Sequence, residues 1–394
     1  MSVAAPIVGG MRIVHTSDWH LGRSFHRVGM LEHQSAFVDS LVDAVRSEGV
    51  DAVVVAGDIY DRALPAVDTV AVLDDAVCRL RDTGAEVVLT SGNHDSAGRL
   101  GFASRVLERG GVHVRTSPDD LARPVLLGDE HGPVAVYGVP YLEPSMCASL
   151  LGGTERSHQA VLSTAMSRVR ADLATRTPAT RSVVAAHAFV VGGQPSDSER
   201  DISVGGVGAV PMGVFDGVDY VALGHLHGRQ RLSDTVRYSG SPLAYSFSES
   251  AHVKGSWLVE LGATGVTSVE ALPAPVPRRL ALLRGRIDDL LTDTTLAAAE
   301  SAWCQVVLTD GVRPRAAMAR LQTRFSHTLS LSFAPEDIAA DELDYAARVR
   351  GRSDLDVCCG FVEHVRGIPA DDGERAVLVR ALEQASLPGD QDAA

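Results

Sequence analysis

The sequence predicts an α/β fold over most of its length, then a small α+β unit and a helical tail. Three observations carry this. Short β-branched runs alternate with amphipathic stretches from Met11 onward, a proline-rich stretch at Pro273–Pro277 ends the alternation, and the polar motifs stand where the β-branched runs stop.

Taken in order, Arg12–Thr16 reads as a strand and Leu31–Glu48 as a helix. In that helix Val38, Leu41, Val42 and Val45 fall on one side and Glu32, Asp39, Asp43 and Arg46 on the others. Ala52–Ala56 (strand), Val67–Asp82 (helix) and Glu86–Thr90 (strand) continue the β-α-β series. Further strands are expected at Val134–Val139, Ser182–Ala186, Tyr220–Leu223 and Trp257–Leu261, with a helix at Ser157–Thr175. After the prolines, strands are expected at Arg279–Arg284, Gln305–Thr309 and Thr328–Phe333, with a helix over Pro314–Arg324. The tail pairs the helical runs Val357–Val365 and Glu374–Gln384 about a turn at Gly367–Asp372, a terminal hairpin of the kind that binds a partner. The expected organisation is therefore an extension at 1–10, a catalytic domain at 11–272, a linker at 273–277, a capping domain at 278–340, and a C-terminal hairpin with its tail at 341–394.

Composition narrows the function classes. The 394 residues are 45% hydrophobic and 22% charged, ordinary for a globular chain with a large core. No apolar run approaches the roughly 20 residues that cross a bilayer, and MSVAAPIVGG lacks the features of a secretion signal, so a cytoplasmic protein without membrane contact is expected. The five cysteines (Cys78, Cys147, Cys304, Cys358 and Cys359) show no CxxC spacing, which argues against a thiolate metal site and for a reducing compartment. A formal charge of −14 argues against coating of nucleic acid by bulk electrostatics; a DNA substrate would need metals, a local basic strip or a partner.

Four motifs stand at strand ends: Asp18-Trp19-His20, Gly57-Asp58-Ile59-Tyr60-Asp61, Gly92-Asn93-His94-Asp95 and Gly224-His225-Leu226-His227. A lone His187 ends a fifth strand. Loops at the carboxyl ends of strands in an α/β sheet converge on a crevice, so these residues can meet around one ligand. Carboxylate, amide oxygen and imidazole together suit borderline divalent metals. Singly, most have plain structural explanations. Asp18 could cap a helix, Asn93 could occupy a turn, and Asp95 reads mostly as a cap for the helix that follows. Asp58 behind three valines, and the pair His225 and His227, are hard to explain as packing.

The motifs in this order resemble the calcineurin-like metallophosphoesterase superfamily, whose fold is a two-sheet β-sandwich flanked by helices around a dinuclear centre. Met11-Arg-Ile-Val-His-Thr-Ser-Asp-Trp-His-Leu-Gly22, Ser91-Gly-Asn-His-Asp95 and Phe361-Val-Glu-His-Val-Arg-Gly367 are similar to the SbcD family of bacterial nuclease subunits. The resemblance implies two divalent ions, with manganese the first choice and magnesium, iron(II) or zinc the alternatives. Asp18, His20, Asp58 and His227 would hold one, and Asp58, Asn93, His187 and His225 the other. Asp58 would bridge, since two cations about 3.5–4 Å apart need a shared anion. Hydroxide made available at the metal pair would attack phosphorus, and His94 would assist the departing 3′ oxygen. Relatives outside bacteria commonly carry His where this chain has Asp61, which leaves strand positioning there open.

The same resemblance implies 3′–5′ exonuclease and single-strand or hairpin endonuclease activity on DNA ends, in repair and recombination. The expected partners are an SbcC-like ATPase docked on the C-terminal hairpin, and a second nuclease subunit paired through Leu31–Glu48 or Val67–Asp82 in a heterotetramer; a hairpin folded onto its own cap, and an equally good use of both helices within the chain, are the alternatives. Arg278, Arg279, Arg284, Arg286, Arg313, Arg315, Arg320 and Arg324 give the capping unit a local basic bias, with Arg313 and Arg320 as candidate DNA contacts, although solvated surface arginines fit equally. Trp19 and Phe25 are candidates for base stacking or for wedging the loop against the core. Tyr238-Ser-Gly-Ser-Pro242 is either part of the crevice floor or a plain turn. A small-molecule phosphoesterase on the same core, and a metal-poor scaffold, are the competing functions.

Overall fold

Alternation within single strands decides the layering. In strand β4 (Ala52–Ala56), Ala52, Val54 and Ala56 join one buried cluster and Val53 and Val55 another. A strand buried on both faces has to lie in the middle of a layered molecule. This is seen in a computed structural model, which describes residues 10–177, 180–202, 208–335 and 352–385.

The first sheet is built from β1 (Met11–Thr16), β4, β5 (Glu86–Thr90), β6 (Val112–Arg115), β13 (Gly255–Gly262) and β14 (Gly265–Pro273), in the order β14-β13-β1-β4-β5-β6, while β2 (Ser24–Phe25) and β3 (Val28–Gly29) form a small antiparallel pair of their own. Strands β1, β4, β5 and β6 run parallel, and β13 pairs antiparallel with both β1 and β14. The second sheet contains β7 (Val125–Asp129), β8 (Gly132–Val139), β9 (Arg181–His187), β10 (Tyr220–Gly224), β11 (Gln230–Arg231) and β12 (Val236–Tyr238), in the order β11-β12-β10-β9-β8-β7. Its four inner strands are parallel and its two edges antiparallel.

Ile13, Val54, Val88, Val136, Val183, Tyr220 and Val259 fill the space between the sheets. The helices Leu31–Ser47 and Val67–Asp82 cover the outer face of the first sheet, with Phe37, Val38, Leu41, Val42 and Val45 of the first helix buried there. His158–Leu173 and Pro144–Leu150 cover the second. The fold is thus a two-sheet sandwich flanked by helices.

A separate parallel sheet, β15-β16-β17, follows, formed by Leu280–Gly285, Trp303–Leu308 and Thr328–Phe333. Its core is Leu283, Ile287, Leu290, Val306, Leu308, Leu321 and Phe325. Trp303, at the start of β16, leaves that core and packs with Phe25, Met30, Leu243, Tyr245 and Phe247 of the sandwich loops. Among the described residues of the tail, Asp354–Arg366 and Asp372–Ala385 form two helices. Ser353 caps the first, its side chain accepting from the Asp356 N–H, and Gly367 at φ 72° ends it. Phe361, Val365, Ile368 and Val377 of this hairpin and its turn are exposed.

Several elements differ from expectation. Strands β6, β7, β11, β12 and β14 lie outside the expected series: β6, β11 and β12 are too short to show a period, and β7 and β14 are only partly buried. Pro273 ends β14 rather than opening the linker. The expected Pro314–Arg324 helix is confined to Ala317–Gln322, because Ala316 lies in the left-handed region at φ 49°. The expected extension at 1–10, except Gly10, the end of the capping segment at 336–340, and the tail segments 341–351 and 386–394 lie outside the described residues. No described helix is long and apolar enough to cross a membrane.

Candidate metal centre

Strands β1, β4, β5, β9 and β10 all end at the same edge of the sandwich, and each delivers one motif there. The first two loops are stitched together by main-chain bonds from Asp18 N to Gly57 O (3.1 Å) and from His20 N to Asp58 O (3.0 Å). Asp18, His20, Asp58 and His225 all have positive φ, at 53°, 46°, 48° and 108°. Non-glycine residues pay for that conformation, and such strain gathers at functional sites.

The glycines preceding the polar residues have a more specific role than tight turning. A Cβ on Gly92 would collide with the Asp58 carboxylate, and one on Gly224 with the Ala56 carbonyl. Neither has positive φ, so close approach is what these two positions require.

All eight motif residues converge. His20 Nε2 lies 3.0 Å from His227 Nε2 and 3.5 Å from Asp58 Oδ2. His187 Nε2 lies 2.9 Å from Asn93 Oδ1 and 3.5 Å from Asp58 Oδ2, and His225 Nδ1 is 3.3 Å from Asn93 Oδ1. Asp18 accepts from the His225 N–H at 3.0 Å. His94 N donates to Asp58 Oδ1 at 2.9 Å, and its ring stands 4.6 Å from that of His20. Donor atoms of Asp18, His20 and His227, of His20, Asp58 and His94, and of Asp18, Asp58 and His187 form three groups compact enough to hold an ion.

Tautomers test whether a cation fits. His187 Nδ1 faces the Ala56 carbonyl at 3.0 Å, which can only accept, so the ring proton is on Nδ1 and Nε2 carries a lone pair. That lone pair points at the oxygen of Asn93. Likewise the Ser198 hydroxyl donates to Glu249, so at 2.5 Å it accepts from His227 Nδ1, which leaves a lone pair on His227 Nε2. Lone pairs of His187 and His227 turned toward one interior region, each ring held from behind by a hydrogen bond, are what a divalent cation resolves. The amide nitrogen of Asn93 is buried with no hydrogen-bond partner among the described residues, while its oxygen faces the rings of His187 and His225.

The electrostatics agree. Burial, reinforced by Asp58, raises the Asp18 carboxyl well above the usual range. Burial also raises Asp58 to about 6, against the pull of His94, Arg200 and Arg23. It drives His20 and His225 well below the ordinary histidine value and His187 to about 3. The pocket therefore holds neutral imidazoles and carboxylates short of positive charge.

Other expected residues fall differently. Trp19 is fully buried, its ring 5.7 Å from Phe37 and its Nε1 donating to Thr16 Oγ1 at 3.0 Å, so it wedges the loop and is removed as a stacking platform. Phe25 is buried against Trp303. Asp61 turns inward: its carbonyl accepts from His94 Nδ1 at 2.8 Å, and its carboxylate lies 3.8 Å from His20 Nδ1 and from Arg23 Nε. Asp95 does not cap the following helix, whose N-cap Ser96 makes no side-chain cap bond. Its carboxylate accepts from Ile59 N, Tyr60 N and Gly92 N at 2.9–3.1 Å, binding two motif loops together. Arg313 is exposed, and Arg320 is paired with Asp288. Ser239 and Ser241 of the Tyr238–Pro242 stretch touch Ser17 and Lys254 beside the centre.

Sequence patterns gave no sign of Ser198, Glu199, Arg200, Glu249 and Lys254. Glu199 accepts from His227 N at 2.6 Å, Arg200 reaches Asn93 O at 3.3 Å, and Lys254 donates to His227 O at 2.7 Å and to Glu249. Burial pushes Glu249 up, but the Lys254 ammonium and the bonds around His227 hold it below the usual range. These residues sit in polar loops without periodicity, so only their contacts reveal them.

Comparison with known proteins follows the same line. The family model described as calcineurin-like phosphoesterase matches residues 11–229, more than half of the chain. That of the SbcD C-terminal family, described as the type 5 capsule protein repressor C-terminal domain, matches residues 276–366. Similar solved structures include a protein of Thermus thermophilus (13% identity, 67% of this chain and 99% of that one, TM-score 0.39) and a dimetal phosphatase from Danio rerio (14%, 68% and 100%, TM-score 0.38). Another is GAP50, the anchor in the inner membrane complex of Plasmodium (11%, 83% and 98%, TM-score 0.38). The chain belongs to the calcineurin-like phosphoesterase family, and is a metal-dependent hydrolase of phosphoester bonds that carries an SbcD C-terminal domain behind its catalytic core.

Proposed function

We propose that this hydrolase is the nuclease subunit of an SbcCD-like complex, cutting DNA from 3′ ends and within single strands or hairpins. The observation that supports it most is the union in one chain of a phosphoesterase core with an SbcD C-terminal domain. The exposed arginines Arg279, Arg286, Arg313 and Arg315 supply a local cationic surface in a chain of charge −14.

Asp18, His20, Asp58 and His227 would hold one ion, and Asp58, Asn93, His187 and His225 a second, most simply manganese. Bound there, the ions supply Lewis acidity and an activated water. The chain's own residues do the rest. Asp58 is shared between the two sets. His94, anchored through Nδ1 on Asp61 O, leaves Nε2 to meet the departing 3′ oxygen. Because His94 also belongs to a compact donor group, metal counts in variants decide its role.

The expected partners have surfaces to match. Phe361, Val365, Ile368 and Val377 on the hairpin fit docking by an SbcC-like ATPase. Leu64, Val70, Phe102 and Leu107 are exposed and line a hollow of about 470 Å³ beside the helix Val67–Asp82; with the exposed Val67 and Val106, their neighbours along the chain, they fit a second copy of the subunit.

The deciding assay incubates purified protein and manganese with labelled single-stranded and hairpin DNA, alongside bis-p-nitrophenyl phosphate. DNA cleavage is expected. Turnover of the small diester alone would favour the small-molecule phosphoesterase, and turnover of neither a scaffold.

A further inference from the structure

We infer that Arg200 receives a second phosphate, the one next to the reacting diester on its leaving-group side, so that the centre selects a polyanionic strand over an isolated diester. This rests on the nuclease function proposed above and names what that site reads.

Three consecutive residues bring Arg200 to the centre. The Ser198 hydroxyl holds His227 Nδ1, Glu199 accepts from His227 N, and the Arg200 guanidinium reaches Asn93 O at 3.3 Å and lies 3.5 Å from His94 Nδ1. The segment is braced from below as well. Arg23 donates to Ser198 O at 2.7 Å, its guanidinium 5.0 Å from the centre of the Tyr245 ring. Arg200 is therefore held in place by neighbours that grip the metal-binding residues, although its own side chain is exposed.

Its contacts with the described residues are poor. The bond to Asn93 O is long, and His94 Nδ1 already donates its proton to Asp61 O, so that nitrogen has no lone pair for a guanidinium. A cation carried to the mouth of a catalytic centre on two weak contacts retains N–H groups for an incoming anion, and the planar guanidinium matches phosphate. The side of approach sets which phosphate. Arg200 stands at the Nδ1 edge of His94, whereas Nε2 is the nitrogen left for the departing oxygen. Arg200 thus lies beyond the leaving group rather than over the reacting phosphorus. When a 3′ oxygen departs, the next phosphate on that side is the 5′ phosphate of the same nucleoside.

The test compares thymidylyl-thymidine with and without a 5′ phosphate, in manganese, for the wild type, Arg200→Gln and Arg200→Lys. The wild type is expected to prefer the phosphorylated dinucleotide by about ten-fold or more in kcat/KM. That ratio should collapse to about one in Arg200→Gln and recover in part in Arg200→Lys. Because the readout is a ratio within each protein, a general loss of activity does not mimic it. A wild-type ratio near one, or a preference that survives in Arg200→Gln, overturns the assignment to Arg200. Wild-type turnover of bis-p-nitrophenyl phosphate without turnover of either dinucleotide or of longer DNA overturns the nuclease function itself.

Discussion

Asp58 and His94 touch through a single hydrogen bond, yet they are proposed to do different work, and variants separate them. Asp58→Asn should lose both ions by elemental analysis together with activity. His94→Gln should keep two ions per chain and lose activity by about 10²-fold or more. Equal metal loss in both would make His94 a ligand. Glu249 acts at one remove, through Ser198 on His227. Glu249→Gln should weaken metal affinity about 10- to 100-fold in titration calorimetry, and an unchanged affinity would show that Lys254 and Ser198 suffice. At this scale the sequence names all eight converging residues, because each ends a hydrophobic run or lies in the short polar motif that follows one. Glu249 and Arg200 were invisible, since a charged residue in a polar loop looks the same whether or not it faces a metal centre.

Strand β1 shows how an element can carry both a site and a stability switch. His15 lies buried two residues before Ser17, with Nδ1 3.0 Å from Tyr220 OH and Nε2 3.1 Å from the Leu223 carbonyl, so it joins the two sheets. Burial lowers its pKa from 6.5 to about 3. A folded-state value below the unfolded one means that the neutral ring contributes its full stability above pH 6.5 and loses it progressively as pH falls toward 3. The wild-type unfolding midpoint should therefore drop more steeply between pH 6.5 and 4.5 than that of His15→Gln, even though the variant is weaker at pH 7. Asp58, raised to about 6, has the opposite sign, but it is common to both proteins and cancels. Parallel curves would remove His15 from this role. The strands at the heart of both sheets are legible as β-branched runs; β14 is not, since its apolar residues are only partly buried and divided between two cores, Val266 and Val269 in one and Leu272 in the other.

For the molecule as a whole, two surfaces are exposed that an isolated chain has no reason to leave apolar. Phe102→Glu together with Val106→Glu is expected to convert a dimer to a monomer in light scattering; an unchanged mass would place the pairing elsewhere. Removing residues 354–394 should abolish binding to an SbcC-like ATPase in co-purification while bis-p-nitrophenyl phosphate is still hydrolysed, and retained binding would exclude the hairpin as the dock. The amino-acid sequence by itself determined the α/β class, the order of the main strands and helices, and the residues with metal-binding chemistry, because periodicity and residue type are local properties. Only the tertiary structure decided that Asp18 lies against His225 and His20 against His227, that Trp19 points into the core, and that Ser198, Glu199 and Arg200 close over the centre. Those contacts join residues far apart along the chain. They depend on how the two sheets stack and in which order their strands lie, which no local pattern encodes.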